Sequence, residues 1–401
     1  MTPTSRQGVQ GATWQRKLLV AGGCAVVGLL VDLAGPVFPV QLAAVGLGIG
    51  LVGASFLLAW AADAGEAVFS GGVVLAVIAL LAVLPEFVIE TRFAYAQETE
   101  LVTANLTGAT RLLLTGAVGL PLAIACIARR RSQAAASLEL APPRRLELGV
   151  LLITSIFALQ IVVIGKLTLL DGVILVALYA FYARRVQGSP EEEAAVLGVP
   201  AGLVSLPPRH RRPVIAALSL VAGAVVITIA NPFADALLAT GTSLGIDPYF
   251  LIQSAVPVAT EAPEFVVVAV LVANRRPAQG LALFLAAAVS QWTLAFGALP
   301  LAFLAGGGGT SMPLDAHQQL ELGYTVALTL FAVAALVSLR PERVDAVLMV
   351  GLLAIQLIYP TAFIQVASTF IFLVFALHLL VDRRPAVRLL CAALRGGRGR
   401  S

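Results

Sequence analysis

Residues 84–90 read LPEFVIE and residues 260–265 read TEAPEF, so a Pro-Glu pair occurs twice within long apolar runs. A glutamate inside such a run is costly in a bilayer, and its position there indicates function. Proline has no N–H to donate to the carbonyl four residues earlier. We therefore expect helix breaks at Pro85 and Pro263, each of which leaves a backbone oxygen free beside a carboxylate.

Free carbonyls and carboxylates together suit a hard cation such as Ca²⁺ or Na⁺. The two stretches predict a mid-membrane cation site on Glu86 and Glu264; kinked helices with buried, protonated glutamates are the alternative. Glu90 and Glu261 lie one turn from this pair on the same helix faces. They are further candidate ligands in a predicted outer acidic vestibule, unless they form interhelical hydrogen bonds instead.

The composition is that of a membrane protein. Of the 401 residues, 59% are hydrophobic and 12% are charged, and the mean hydropathy is +0.95. Soluble domains keep roughly a quarter of their residues charged. The predicted partners are therefore the lipid bilayer and the transported cations, with no protein partner indicated. The basic residues form short clusters between apolar runs, which is typical of cytoplasmic loops and gives no support to nucleic-acid binding.

The apolar runs predict an all-α polytopic membrane protein with about twelve spans, since about 20 apolar residues cross a bilayer. If the N-terminus is cytoplasmic, all of the 26 Lys and Arg residues except Arg92, Arg111 and Lys166 lie on the cytoplasmic side. This bias predicts that both termini are cytoplasmic in a multi-pass protein of the cell membrane. The predicted spans are residues 18–35, 38–61, 67–96, 101–128, 147–165, 168–184, 213–238, 248–273, 278–305, 319–339, 344–359 and 361–381.

The two halves of the chain repeat each other. Residues 146–149 read LELG and recur as residues 320–323, and Pro85-Glu86 recurs as Pro263-Glu264. The second to sixth predicted spans therefore correspond to the seventh to eleventh. Because each copy has an odd number of spans, the second copy enters the membrane from the opposite side, as in many transporters. The predicted domains are 1–37 (N-terminus and extra helix), 38–185 (first inverted repeat), 186–212 (cytoplasmic linker), 213–360 (second inverted repeat) and 361–401 (extra helix and basic tail).

The spans that follow the two Pro-Glu pairs carry polar residues. Residues 105–111 read NLTGATR and residues 287–293 read AAVSQWT. The oxygens of Asn105, Ser290 and Gln291 are candidate cation ligands. Helix packing and backbone hydrogen bonds explain such residues equally well.

Arg111 lies near the middle of its predicted span and keeps its charge. A buried charge without a partner is prohibitive, so we expect Arg111 to pair with Glu86 or Glu90. As a fixed positive charge next to the predicted site, Arg111 is a candidate modulator of ion binding.

Four other acids begin predicted spans. Asp171 and Asp345 are predicted helix N-caps. Glu147 and Glu321 are placed at helix starts, where the helix dipole favours an acid. The sequence contains no Walker A or HExxH motif, the signatures of ATP-driven pumps and of zinc hydrolases. We therefore predict neither an enzyme nor a cofactor.

The sequence resembles the Ca²⁺:cation antiporter superfamily, which includes the sodium/calcium exchangers. Each inverted repeat of that family carries a pattern close to GTSLPE on one helix and GNxxGSN on the next. Here residues 81–86 read LAVLPE and residues 259–264 read ATEAPE. Asn105 and Gly108 fit the second pattern, and Ser290-Gln291 resembles its Ser-Asn pair.

The resemblance implies that Glu86 and Glu264 bind the transported ion, usually Ca²⁺, in exchange for Na⁺ or H⁺ by alternating access. It also makes Thr260, which the second copy keeps, a candidate ligand. Ala82 and Val83 remove two hydroxyls of the family pattern, which predicts fewer Na⁺ sites. The alternatives are a Na⁺/H⁺ exchanger without Ca²⁺ transport, and a non-transporting membrane scaffold whose site is plugged by Arg111.

Overall fold

A computed structural model of the protein describes residues 3–69, 80–81, 83–129, 140–186, 197–274, 276–339, 342–359 and 361–395. Several sequence-based predictions fall outside these residues. They concern the middle of the predicted span 67–96 (with Ala82), most of the basic segment 129–145, the acidic part of the linker 186–212, and the end of the basic tail.

The described chain is mostly helical. The helices are α1 (Pro3–Ala34), α2 (Val40–Glu66), α3 (Leu84–Tyr95), α4 (Thr99–Arg129), α5 (Arg145–Ile164), α6 (Leu169–Val186), α7 (Val199–Val204), α8 (Pro208–Leu244), α9 (Pro248–Thr260), α10 (Ala262–Ala273), α11 (Pro277–Ser290), α12 (Phe296–Ala305), α13 (Ala316–Leu336), α14 (Arg343–Ile358), α15 (Ala362–Asp382) and α16 (Arg384–Arg395). Short 3₁₀ turns cover Gly35–Val37 and Pro142–Arg144, and a π-helical segment covers Gln291–Ala295. Strands β1 (Lys166–Thr168) and β2 (Ser311–Pro313) pair antiparallel, with Leu167 opposite Met312; this small ribbon was not predicted.

Local sequence accounts for several helix ends. Asp247 caps α9 by accepting a hydrogen bond from the backbone N–H of Tyr249 at 2.9 Å. Asp315 and Gln318 form a reciprocal capping box at the start of α13, which satisfies two N–H groups that a helix start leaves open. Gly165 ends α5 in the left-handed conformation, which glycine adopts at little steric cost.

The N-cap predictions for two acids are wrong by a few residues. Asp171 is the third residue of α6, and its carboxylate accepts hydrogen bonds from the backbone N–H and the hydroxyl of Thr168, at 2.8 and 2.6 Å. Asp345 is the third residue of α14 and lies 3.5 Å from Arg383. Both acids stabilise a first helical turn, but from inside the helix.

The helices group into two compact units. Unit 1 comprises Met1–Arg92 and Pro190–Pro263, and unit 2 comprises Phe93–Ser189 and Glu264–Ser401. In unit 1, α2 packs along α1 and α8, and α9 contacts α2 and α8. In unit 2, α13 is central and packs against α4, α5 and α15, while α11 packs on α4 and α12 on α6. Each unit therefore combines residues from both halves of the sequence.

Among the described residues, seven helices are long and apolar enough to cross a bilayer, or eight if α9 and α10 together count as one bent span. The seven cover Trp14–Val37, Val40–Glu66, Pro142–Ile164, Pro208–Leu244, Pro277–Ala305, Ala316–Leu336 and Ala362–Asp382. Large apolar side chains on these helices are exposed, including Leu33 at 85% and Phe363 at 81%. So much apolar surface is typical of a protein that is solvated by lipid.

Glycines allow α1 and α2 to approach closely. A methyl group built on Gly28 would lie 2.7 Å from the Gly50 backbone and 3.0 Å from Ile229 of α8. On the same helix, a methyl group on Gly22 would meet nothing within 4 Å. Small residues at such crossings permit the backbone contact that stabilises helix pairs in membranes.

We expect Gly28→Ala to lower the thermal unfolding midpoint of the detergent-purified protein, because the added methyl overlaps the Gly50 backbone and overpacking costs about 1–3 kcal/mol. Gly22→Ala is the matched control and should leave the midpoint unchanged or slightly raised, since alanine favours the helix. Equal midpoints for the two variants would contradict the close crossing.

Candidate functional site

Both Pro-Glu pairs lie in the first turn of a helix. Pro85 and Glu86 are the second and third residues of α3, and Pro263 and Glu264 are the second and third residues of α10. Proline is tolerated in a first turn because the N–H it lacks has no helical partner there. An acid is favoured there because several backbone N–H groups are open. The helix ahead of α10 ends at Thr260, and Glu261 separates the two helices.

Glu86 is held by hydrogen bonds within unit 1. Its side chain is 4% exposed and forms hydrogen bonds with the Thr260 side chain and with its own backbone N–H. The Thr260 hydroxyl also lies 3.0 Å from the carbonyl oxygen of Val256. The structure thus brings two predicted site residues, Glu86 and Thr260, into direct contact.

Glu90 and Glu261 are also in unit 1, and both are buried, at 0% and 5% exposed. Both side chains are covered by protein, and the outer acidic vestibule stays a prediction. Burial of this kind fits the alternative, in which these acids make contacts inside the helical assembly.

The other predicted site residues belong to unit 2. Glu264 is half-buried at the start of α10, and Asn105 on α4 is 0% exposed. The ring of Phe265, the residue after Glu264, reaches α4, because a methyl group built on Gly116 would lie 2.5 Å from it. The helix with the candidate amide ligand is therefore contacted by the residue next to the candidate carboxylate.

Ser290 and Gln291 lie where the helix changes its pitch. Ser290 ends α11, with its hydroxyl donating to the Ala286 carbonyl at 3.2 Å. Gln291, 1% exposed, begins the π-helical segment Gln291–Ala295. Single π turns inside α-helices are common at functional sites. The predicted span 278–305 was expected to be one regular helix, and no residue pattern in it signals the π segment.

The ion pair that the structure gives Arg111 is with Glu321 in unit 2, which is not the partner that the sequence predicted. Its guanidinium donates to the Glu321 carboxylate at 2.5 Å and to the Glu321 carbonyl and the Thr325 hydroxyl, each at 2.8 Å. The ring of Tyr324 lies 4.5 Å from the guanidinium carbon, which adds a cation–π contact. Arg111 and Glu321 are both almost completely buried.

The Arg111 partner was missed because Glu321 was read as a helix-start acid. Glu321 is the sixth residue of α13, beyond its first turn. A usable signal was the spacing of Glu321, Thr325 and Thr329, since residues four apart share one helix face. This polar stripe also accepts a hydrogen bond from the indole N–H of Trp292, 3.1 Å from Thr329. The stripe therefore links α4, α13 and the π-helical segment.

No group of three or more His, Cys, Asp or Glu side chains that could hold a metal ion occurs among the described residues. The predicted ligands combine carboxylates with the neutral oxygens of Thr260, Asn105, Ser290 and Gln291. Calcium accepts hydroxyl, amide and backbone oxygens of this kind.

Comparison with known proteins identifies the family. The family model described as "Sodium/calcium exchanger protein" matches residues 38–186 and 214–362. The chain belongs to the sodium/calcium exchanger protein family. This confirms the resemblance that the Pro-Glu motifs indicated. The protein is therefore a multi-pass membrane protein of a family of cation exchangers, which are transporters and not enzymes. A comparison with curated proteins gave no match.

Solved structures of other exchangers share the fold. A crystal structure of the H⁺/Ca²⁺ exchanger CAX is 30% identical, with a TM-score of 0.87, and the match covers 96% of this chain and 99% of that one. Native YfkE is 11% identical, with a TM-score of 0.58 over 89% of this chain and 99% of that one. The sodium-calcium exchanger NCX_Mj is 17% identical, with a TM-score of 0.51 over 85% and 99%. At these identities the last two show the fold alone.

We expect Arg111→Gln to destabilise the protein strongly, because it leaves Glu321 buried without its counter-charge, a loss of about 3–5 kcal/mol. Replacing both residues, as Arg111→Met with Glu321→Leu, should cost less than the sum of the two single changes. Thermal unfolding in detergent measures the effect.

The matched control for this pair is Arg92→Gln. Arg92 pairs with Asp235, but these side chains are 28% and 55% exposed, so their interaction is worth less than about 1 kcal/mol. The buried ion pair would be refuted as a main stabilising contact if the losses of stability from the single changes at positions 111 and 321 were strictly additive. It would also be refuted if Arg92→Gln lost as much stability as Arg111→Gln.

Proposed function

We propose that this protein is a secondary active antiporter that exchanges Ca²⁺ for protons. The observation that carries the proposal is the 30% identity to the H⁺/Ca²⁺ exchanger CAX, over nearly the full length of both chains. The likeness to the sodium-calcium exchanger NCX_Mj, at 17% identity, concerns the fold and does not favour Na⁺ as the coupling ion. The loss of hydroxyls at Ala82 and Val83 also favours protons over several Na⁺ ions.

The burial of Glu86 supports a proton as one of its ligands. Its side chain is 4% exposed, and a bound proton removes the cost of burying a charge. A carboxylate that releases this proton becomes free to bind Ca²⁺.

The proposed exchange follows from competition at two carboxyl groups. Glu86 and Glu264 together can carry two protons, which equal the charge of one Ca²⁺ ion. Protons and Ca²⁺ compete for the same oxygens, because a carboxyl must lose its proton to serve as a strong calcium ligand. We propose that Thr260, Asn105, Ser290 and Gln291 supply neutral oxygens, and that Glu90 and Glu261 contribute negative charge.

We further propose alternating access by two inverted five-helix repeats. The family model matches two segments, residues 38–186 and 214–362. Each of the two compact units takes part of both segments, as expected if the copies play equivalent roles. The proposed arrangement has about twelve spans, one extra helix at each end, and both termini on the cytoplasmic side of the cell membrane.

The described structure gives the proposed plug no support. In the scaffold alternative, the positive charge of Arg111 permanently neutralises the site glutamates and blocks cation binding. Its guanidinium is instead held by Glu321, Thr325 and Tyr324 in unit 2. The charge of Arg111 is thereby neutralised by the Glu321 carboxylate within unit 2. We assign Arg111 the role of fixing α4, the helix that carries Asn105, to α13.

We expect purified protein in liposomes to take up Ca²⁺ when an outwardly directed proton gradient is imposed. Glu86→Gln and Glu264→Gln should each reduce the rate at least about a hundredfold, because the amide cannot exchange a proton for Ca²⁺. Glu100→Gln, which removes an exposed glutamate at the start of α4, is the matched control and should transport normally.

Normal uptake by either site variant would reject the proposed site. An equal loss in Glu100→Gln would show that the loss reflects general damage and not the site carboxylates. Uptake that requires a sodium gradient, with none under a proton gradient, would retain the site but reject proton coupling.

A further inference from the structure

The last helix, α16, carries all its charge on one face. It contains Arg384, Arg388 and Arg395, which are four and seven residues apart and therefore project from the same side of a helix. All three side chains are exposed, and the helix contains no acidic residue. The sequence had indicated only a basic tail here, with no structure assigned to it.

The opposite face of α16 is apolar and packs against unit 2. Leu390 is 0% exposed. Leu394 packs so closely on α5 that a methyl group built on Gly149 would lie 2.8 Å from it. The helix is therefore fixed along its length by side chains that point away from the arginine face.

Two further arginines hold the ends of α16. Arg383, just before the helix, donates to the Ala335 carbonyl at 2.8 Å and to Glu342 at 2.8 Å. Arg185, at the end of α6, donates to the Leu394 carbonyl at 3.4 Å. These contacts fix the direction of α16, so the face with Arg384, Arg388 and Arg395 has a defined orientation.

The arginine face has no internal counter-charge. Within the described part of the chain, none of Arg384, Arg388 and Arg395 forms an ion pair. The nearby ends of α5 and α6 add Arg144 and Arg184, and Glu147 is already paired with Arg144 at 2.8 Å. Leu389, 49% exposed, borders the arginine face. A cluster of exposed arginines on one helix face, next to an exposed leucine, is the pattern that attracts anionic lipid headgroups.

We propose that the arginine face of α16 binds the headgroups of anionic phospholipids. Arg384, Arg388 and Arg395 would contact phosphates through their guanidinium groups, which match phosphate geometry. Leu389 would enter the boundary of the acyl chains. The helix would thereby tie unit 2 to the membrane surface on the side where α5 begins and α6 ends. This inference does not depend on which ion the protein transports.

The test measures the unfolding midpoint of the full chain in neutral detergent, titrated with short-chain phosphatidylglycerol or with phosphatidylcholine of the same chain length. We expect phosphatidylglycerol to raise the midpoint more than phosphatidylcholine does. In the triple variant Arg384→Gln, Arg388→Gln, Arg395→Gln, the affinity for phosphatidylglycerol should fall about a hundredfold, since each arginine near an anionic surface contributes about fivefold.

Three controls separate the alternatives. The triple lysine variant at the same positions should keep most of the response, because it keeps the charge. Removing charge elsewhere, by Arg209→Gln with Arg212→Gln at the start of α8, should leave the response intact. Inorganic phosphate should not reproduce the response to the lipid.

Unchanged affinity in the triple glutamine variant would overturn the proposal. An equal loss in the α8 variant would also overturn it, because the effect would then follow net charge and not α16. A response to inorganic phosphate as large as that to the lipid would show that the site takes the free ion, which likewise contradicts the lipid assignment.

Discussion

A charged side chain buried inside an apolar helical protein is stable only when neighbouring groups satisfy it. Two such groups organise this protein. In unit 1, Glu86 is bound by Thr260 and by its own backbone N–H. In unit 2, Arg111 is enclosed by Glu321, Thr325 and Tyr324. In the proposed function, the ligand of the first carboxyl changes during transport, whereas the second arrangement neutralises a charge that cannot change. We therefore propose that transport and stability depend on different residues.

The Pro-Glu pair occupies the same helix positions in both halves of the chain. Pro85-Glu86 and Pro263-Glu264 each occupy the second and third positions of a helix, where proline costs no hydrogen bond and open N–H groups favour an acid. The start of a helix is therefore where each glutamate is accommodated. The π-helical segment beside Gln291 is a third departure from regular helix next to a candidate ligand.

The sequence was sufficient for the family, the membrane class and the helix break next to Glu264, because each depends on local chemistry. A proline disrupts a regular helix interior wherever it occurs. An acid inside the membrane requires neighbouring groups that satisfy it. The partner of Arg111 could not be found in this way, since Glu321 is distant in sequence and only the packing of α4 on α13 brings the two together. The burial of Glu90 and Glu261 likewise depends on packing. The fixed orientation of α16 follows from contacts of Leu394 and Arg185, which no periodicity encodes.

The central claim is that Glu86 and Glu264 exchange Ca²⁺ for protons. The most direct measurement follows the internal pH of proteoliposomes, free of Na⁺, when Ca²⁺ is added outside. The account predicts that the interior becomes more alkaline as Ca²⁺ enters and protons leave, and that Glu86→Gln abolishes this change while Glu100→Gln does not. Entry of Ca²⁺ without any change of internal pH, or entry only when the liposomes contain Na⁺, would contradict it.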